Sequence, residues 1–367
     1  MIATRLRLRD FRGYASADVE LGPGLTVAHG PNGAGKTNLL EALYFGCTGR
    51  SCRTSNEREV VRFGAGVTRV EVDLRDADGR DHALTVGLAP GDAKHLQVDG
   101  ASVQRIDASA RPLICVFLPD RLELIKGPPA LRRSHIDQVI AATWPARAQT
   151  RRSYGRALAQ RNALLGRVRQ GRASAGSLPA WDAELARHAI ELRDDRAAIV
   201  ALLAPRFGRI AAALGLGDAG ELRYKPRSRA ADPAAFAAEL SEHSASDLER
   251  GFTGHGPHRD DIALLRSGRE LRAYGSQGEQ RLALLALLLA ERDALAATRS
   301  AIPLMLLDDV MSELDPQRRA LLAGMLGDGG QSMITTTDLA HVPGAGAAAV
   351  ARLRIADGVV DGDAVAA

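Results

Sequence analysis

The octapeptide Gly30-Pro31-Asn32-Gly33-Ala34-Gly35-Lys36-Thr37 constrains this chain more than any other stretch. Leu25–His29 before it reads as a short buried strand, and Asn38–Tyr44 after it reads as an amphipathic helix. Between a strand and a helix, the spacing G-x-x-x-x-G-K-[ST] has a mechanical meaning. The glycines let successive backbone N–H groups turn inward around a polyphosphate, and the helix N-terminus adds the positive end of its dipole. Residues Gly30, Pro31, Asn32, Gly33, Ala34 and Gly35 would form the cradle. Lys36 would reach the β- and γ-phosphates, and the Thr37 hydroxyl would hold Mg²⁺. The chain has only four lysines (Lys36, Lys94, Lys126 and Lys225) and uses arginine almost everywhere else. A lysine at position 36 therefore reads as a choice of compact ammonium over planar guanidinium.

A chain of 367 residues suggests about two lobes with sizeable cores. Apolar residues at 46% and charged residues at 25% are those of an ordinary globular protein, and no apolar run approaches a membrane span. Cys47, Cys52 and Cys115 are too few and wrongly spaced for a zinc site or a disulfide framework. The N-terminus alternates like a strand and lacks a secretory h-region, so a cytoplasmic location is expected. The net charge of +4 is a weak pointer to a polyanionic partner.

Along the chain the first hundred or so residues read as strands with tight turns. Thr68–Arg75, Ala83–Leu88 and Leu113–Leu118 are the candidate strands, with turns at Asp78-Gly79 and Asp99-Gly100. From about Ala130 to Leu203 the text becomes helical, rich in Ala, Leu and Arg, with a break at Gly171–Gly176. A looser Ala-rich segment runs to about Ser246. Strand-like text returns at Asp261–Leu265, then a helix at Glu279–Ala296, strands at Ile302–Leu307 and Ser332–Thr336, and a closing hairpin near Arg352–Val360.

Pro303–Leu307 is an apolar strand that ends in Asp308 and Asp309. Beside the phosphate-loop strand, and buried on both faces, it would place Asp308 to hold the Mg²⁺ and Asp309 to polarise an attacking water. More than 260 residues separate this strand from the loop, too many for a compact nucleotide kinase. Just ahead of it, Ser276-Gln277-Gly278-Glu279 opens a strong helix. Alone, that is an ordinary N-cap with Glu279 closing a capping box. With Ser312-Glu313-Leu314-Asp315 following the acidic strand, the order resembles the ABC-type ATPase head.

That resemblance implies an α/β fold, an ABC-type P-loop ATPase head with mixed β-sheets and an inserted α-helical lobe. It divides the chain into residues 1–125 (first part of the head), 126–246 (helical lobe) and 247–367 (second part of the head). It also implies that Ser276 and Gly278 act in trans on the nucleotide of a second copy, with Ser312 and Asp315 lining the dimer interface. Two departures from transporter heads stand out. Asp309 occupies the position of a glutamate, which predicts slow hydrolysis. Thr335-Thr336-Thr337 ends the later strand where those heads place a switch histidine, and Thr336 is the expected switch.

Four further strings narrow the resemblance: Asp10-Phe11-Arg12-Gly13-Tyr14, Leu40–Tyr44 with Gly49-Arg50-Ser51-Cys52-Arg53-Thr54, Lys126–Asp137, and Gly251–Asp261. Together they are similar to the RecF family of bacterial recombination and repair ATPases, over nearly the whole chain. Arg12 would then lie near the nucleotide. The family implies ATP and Mg²⁺, an ATP-dependent homodimer, duplex or gapped DNA, and RecR with the RecO/RecA pathway as partners. Between Asp137 and Asp182 there is no acidic residue, whereas Arg147, Arg151, Arg152, Arg156, Arg161, Arg167, Arg169 and Arg172 fall there. The first four are the candidate DNA contacts, on a stripe that could track a phosphate backbone. A nucleotide-gated scaffold with incidental turnover, or another SMC-like ATPase, is the competing expectation.

Overall fold

The computed structural model describes residues 1–217, 220–312, 314–327 and 329–363. Glu313 of the expected interface loop lies outside the described residues. The chain divides into two compact units, Met1–Arg121 with Leu295–Ala367, and Leu122–Ala294.

The first unit carries two six-stranded sheets. Its first strands are β1 (Ile2–Phe11), β2 (Tyr14–Glu20) and β3 (Leu25–His29), followed by helix α1 (Lys36–Thr48). Next come β4 (Thr68–Arg75), β5 (Asp81–Leu88), β6 (His95–Val98), β7 (Ala101–Val103) and β8 (Ile114–Phe117). One sheet, in the order β2-β1-β4-β5-β6-β7, is antiparallel throughout. β4 shows why: Val70, Val72 and Leu74 alternate with charged residues, so one face is buried and the other stays wet. The expected turn at Asp99-Gly100 has φ of 50° and 81°, the pair of positive angles that a two-residue hairpin turn needs.

The second unit begins with α2 (Glu123–Lys126), α3 (Pro129–Thr143), α4 (Thr150–Arg169) and α5 (Leu178–Ala213). A strand, β9 (Gly220–Lys225), then interrupts the segment that reads as loose and Ala-rich. It pairs with β10 (Asp261–Arg266), which pairs in turn with β11 (Arg269–Glu270). Helices α6 (Pro233–Glu242), α7 (Ser244–Arg250), α8 (Leu271–Tyr274) and α9 (Gln277–Arg299) complete the set. The unit therefore extends past the 246 boundary expected from sequence, because β10 needs β9 as its neighbour and Asp247 is buried against Arg161. The division at 294 falls inside α9. With 36 residues, α5 is about 54 Å long, far short of an extended coiled coil.

Arg161 corrects the arginine stripe. Its side chain is fully buried: Nε meets Asp182 Oδ1 at 2.6 Å, and Nη1 meets Asp247 Oδ2 at 2.7 Å and Thr253 Oγ1 at 2.8 Å. The stripe contains one residue of the lobe's own core, and helical spacing alone cannot tell an inward arginine from an outward one.

The last strands return to the first unit: β12 (Leu304–Leu307), β13 (Ser332–Thr336), β14 (Ala351–Ala356) and β15 (Val359–Asp363), with α10 (Pro316–Gly327) between the first two. The second sheet runs β15-β14-β3-β13-β12-β8, parallel except at β15. β12 and β13 are buried at every position, as strands covered on both faces must be. The acidic strand is therefore not beside the phosphate-loop strand as the sequence reading has it: β13 lies between them.

Candidate nucleotide site

In an open parallel sheet, ligands sit at the carboxyl ends of the strands. The loop after β3 and the two carboxylates after β12 both lie there. Gly30 has φ of 155°, and a Cβ at that position would stand 2.0 Å from the carbonyl oxygen of Ile355, so only glycine fits. Gly35 caps α1 with φ of 111°, and the buried Tyr14 hydroxyl donates to its carbonyl oxygen at 2.9 Å. A Cβ on Gly35 would stand 2.9 Å from that same hydroxyl. Lys36 curls back inside the loop, donating from Nζ to the carbonyl oxygens of Gly30 and Pro31 at 2.8 Å each. Burial lowers its pKa from the ordinary lysine value, and the carboxylates of Asp309 and Asp308 counter that shift.

Thr37 Oγ1 lies 2.9 Å from both carboxylate oxygens of Asp308. The sheet thus brings together two residues that are 271 positions apart in the chain. Burial raises the pKa of Asp308, against the hydroxyls of Thr335 and Thr37, which hold it down. The next residue, Asp309, has φ of 45°, an uncommon angle for a residue with a side chain. Its Oδ1 is buried and has no hydrogen-bond partner among the described residues. A carboxylate beside a hydroxyl, with an orphaned carboxylate oxygen one residue on, is a hard-oxygen donor set suited to Mg²⁺.

Position 336 needs a correction. The hydroxyl that reaches the carboxylates belongs to Thr335, which donates to Asp308 Oδ1 at 2.6 Å and accepts the Asp309 backbone N–H at 2.9 Å. Thr336 instead donates to the Asp338 carbonyl at 3.0 Å and closes the local turn. The strand's two-residue alternation turns neighbouring hydroxyls to opposite faces.

Arg12 is held against the phosphate-loop helix α1 by partners within the chain. It meets Glu41 through two nitrogens at 3.0 and 2.8 Å, and Nη1 donates to the Glu59 carbonyl at 2.8 Å. Glu41 is fully buried and accepts from Arg53 and Ser51 as well. Its signal in the sequence is an acidic residue inside the apolar run Leu39–Leu43, an anomaly that demands cationic partners.

Ser276 and Glu279 form the capping box in full. The Ser276 N–H donates to Glu279 Oε2 at 2.7 Å, and the Glu279 N–H donates to Ser276 Oγ at 3.3 Å. Gly278, in contrast, has no internal reason to be glycine. A Cβ there would meet nothing within 4 Å. Ser312 donates to the Asp309 carbonyl at 3.0 Å, and Asp315 accepts the Arg318 N–H at 2.9 Å, capping α10.

Of the four candidate DNA contacts, Arg147 pairs with Asp195 at 3.0 Å and lies over Trp144, and Arg151 pairs with Asp137 at 3.3 Å. Arg152 and Arg156 are exposed, with no acidic partner among the described residues. The string Gly256–Asp261 is a partly buried junction of the second unit, with Gly256, Pro257 and Asp260 enclosed and Arg259 exposed. Asp260 accepts from the Tyr224 hydroxyl and the Arg227 N–H, while Arg132 grips Asp261 at 2.9 and 3.1 Å. His258 Nδ1 faces the Tyr154 hydroxyl at 2.6 Å, and burial pulls its pKa from 6.5 down to about 4. A folded pKa below the unfolded one means that His258 favours folding above pH 6.5. That contribution disappears as pH falls toward 4, on the order of 2 kcal/mol. Stability measured across pH 7 to 4 should fall more steeply for this chain than for the His258→Gln variant; parallel curves would contradict the assignment.

The family model described as the RecF/RecN/SMC N terminal domain matches residues 2–353. The DNA replication and repair protein RecF of Myxococcus xanthus (strain DK1622) is 40% identical, over 93% of this chain and 92% of that one. Its counterpart from Heliobacterium modesticaldum is 37% identical, over 91% and 92%. Among solved structures, the recombination mediator protein RecF-ATP in the RecFOR pathway has a TM-score of 0.85 and 27% identity, covering 99% of this chain and 97% of that chain. The Smc head bound to the C-winged helix domain of ScpA has a TM-score of 0.60 at 18% identity, covering 99% and 97%, a likeness of fold alone.

Proposed function

Because the chain belongs to the RecF family, we propose that it is an ATP-dependent DNA-binding repair protein whose nucleotide joins two copies head to tail. The observation that carries this reading is the Thr37–Asp308 juxtaposition, a hydroxyl and a carboxylate from two distant segments in a pairing suited to a phosphate-bound cation. Solved RecF structures described with ATP support it. So does Gly278, whose missing side chain serves nothing inside its own chain but leaves room for a partner's phosphate beside Ser276.

In this reading, Lys36 exchanges the Gly30 and Pro31 carbonyls for phosphate oxygens. A Mg²⁺ held by Thr37 and Asp308 would neutralise phosphate charge. Asp309 accepts a proton from the attacking water, oriented by the Thr335 hydroxyl that fixes its backbone. Its shorter side chain makes hydrolysis slow, and a fast single-turnover step would contradict that. Ser276 and Gly278 reach the other copy's γ-phosphate, Ser312 and Asp315 border the joint, and Thr336 keeps the strand end in shape for sensing. The reading also takes the cytoplasm as the location and duplex or gapped DNA, RecR and the RecO/RecA pathway as partners, as the resemblance to the family implies. Among the described residues no helix is long and apolar enough to cross a membrane.

The scheme is tested by sizing the protein with ATP and duplex DNA together, where retention of duplex on an ATP-dependent species of doubled mass is expected. Arg152→Glu with Arg156→Glu should weaken that retention by at least tenfold at low salt and flatten its salt dependence. Unchanged affinity and salt slope would remove the α4 arginines from the DNA surface.

A further inference from the structure

We propose that Tyr274 is the aromatic anchor by which a second copy of this chain closes on the Ser276 side of the second unit. This rests on the head-to-tail reading above and adds to it a residue that lies outside the phosphate loop, the acidic strand and the Ser276-Gln277-Gly278 turn.

Tyr274 ends α8 and is 73% exposed, although Leu271 at the start of the same turn is buried. The backbone that carries the ring is held firmly. Gln280, buried on α9, donates from Nε2 to the carbonyl oxygens of Leu271 at 2.9 Å and Gly275 at 3.0 Å. The Gly275 N–H closes the turn on the Leu271 carbonyl at 3.0 Å. A Cβ on Gly275 would stand 2.7 Å from that carbonyl oxygen, so the link after Tyr274 is fitted to glycine. This one fixed residue separates Tyr274 from Ser276, which keeps their Cα atoms within about 7 Å. Arg272, Ala273, Tyr274, Ser276, Gln277 and Gly278 are all exposed. A copy whose nucleotide meets Ser276 therefore comes within reach of the tyrosine side chain.

The surroundings of the ring favour protein over nucleic acid. Tyr274 borders an open concavity of about 780 Å³ that Arg223, Lys225, Arg269 and Arg272 also line. Four cations would suit a polyanion, but three of them are already paired. Lys225 Nζ meets Glu270 Oε1 at 2.5 Å, Arg272 Nε meets Glu270 Oε2 at 2.6 Å, and Arg223 pairs with Glu221. Phosphates would have to break these pairs. An exposed tyrosine beside satisfied charges has instead the anatomy of a protein joint, where an aromatic anchor fills the centre and polar groups form the rim. Tyrosine brings a large ring with a polar tip and loses little rotamer freedom on burial. In a two-fold pair each copy contributes one ring, so the joint contains two such anchors.

The test is pairing of the full chain in Mg-ATP, followed by sedimentation over a range of protein concentrations. Tyr274→Ala removes both rings and should raise the dissociation constant of the pair by at least about tenfold. The ATP affinity of the single copy and the melting temperature should stay where they are, since the side chain is exposed. Tyr274→Phe keeps the ring and should keep most of the pairing. Pairing in Tyr274→Ala equal to that of the unmodified chain overturns the proposal, and a loss of duplex DNA without loss of pairing would make the residue a nucleic-acid contact instead. A loss of single-copy ATP affinity as large as the loss of pairing overturns it too, because the ring would then act on its own copy's nucleotide. An unmodified chain that stays single in Mg-ATP would sink the head-to-tail reading itself, a separate and recognisable result.

Discussion

Replacing Arg161 by alanine is expected to cost the second unit about 3–5 kcal/mol, the scale on which a buried charge is left without its partner. The side chain is fully enclosed, and two carboxylates depend on it. Asp247 keeps the Arg250 guanidinium and the Gly254 N–H after the change, whereas Asp182 loses its only ion-pair partner among the described residues. A typical domain has only about 5–15 kcal/mol in hand, so this unit should melt well below the first one. Chemical denaturation that follows α4 and α5 would measure it. Adding Asp182→Asn to Arg161→Ala should recover part of the loss, because the stranded charge is what costs most. A loss under about 1 kcal/mol would mean that Arg161 is not the hub the geometry makes it.

Asp309→Asn is expected to lower ATP turnover by at least about a hundredfold, the usual worth of a positioned base, while nucleotide binding persists. The substitution is well suited to this position. Asparagine tolerates the positive φ of 45° as well as aspartate does, and the backbone N–H keeps its bond to Thr335. The orphaned Oδ1 is the atom whose basicity is removed. ATP-bound dimers should then accumulate and hold DNA longer. Retained repair function in this variant would favour a nucleotide-gated scaffold with incidental turnover; lost function would favour a machine that must hydrolyse. Turnover within tenfold of the unmodified chain would show that another group acts as base.

Much of the site was legible because its chemistry is local in sequence. The phosphate loop needs glycines at fixed offsets, and its strand, helix, lysine and threonine fall where the spacing places them. Asp308 and Asp309 could be read because an apolar strand that ends in two carboxylates is rare text. What escaped depends on who stands beside whom in three dimensions. Nothing in Ser332–Thr336 says that this strand inserts between β3 and β12, since parallel order is set by crossovers and not by pattern. Thr335 and Thr336 are chemically alike, and only the pleat decides which hydroxyl reaches Asp308. Arg161 and Arg152 look the same in a list of arginines, yet one is core and the other surface. Glu41 lies within the string Leu40–Tyr44, and its place in a buried helical run is the sequence clue to Arg12 and Arg53.

Mixing two inactive variants tests most directly whether each nucleotide site is built from two copies. Lys36→Ala lacks a working phosphate loop, and Ser276→Arg blocks the surface offered to the other copy's γ-phosphate. Each alone should be inactive in ATP hydrolysis. In a head-to-tail pair formed from one of each, one site combines both defects and the other combines the intact Lys36 with the intact Ser276. The account predicts that mixing restores ATP hydrolysis, up to about a quarter of the unmodified rate if the copies pair at random. Ser276→Arg that hydrolyses ATP normally on its own, or a mixture as inactive as its components, would contradict it.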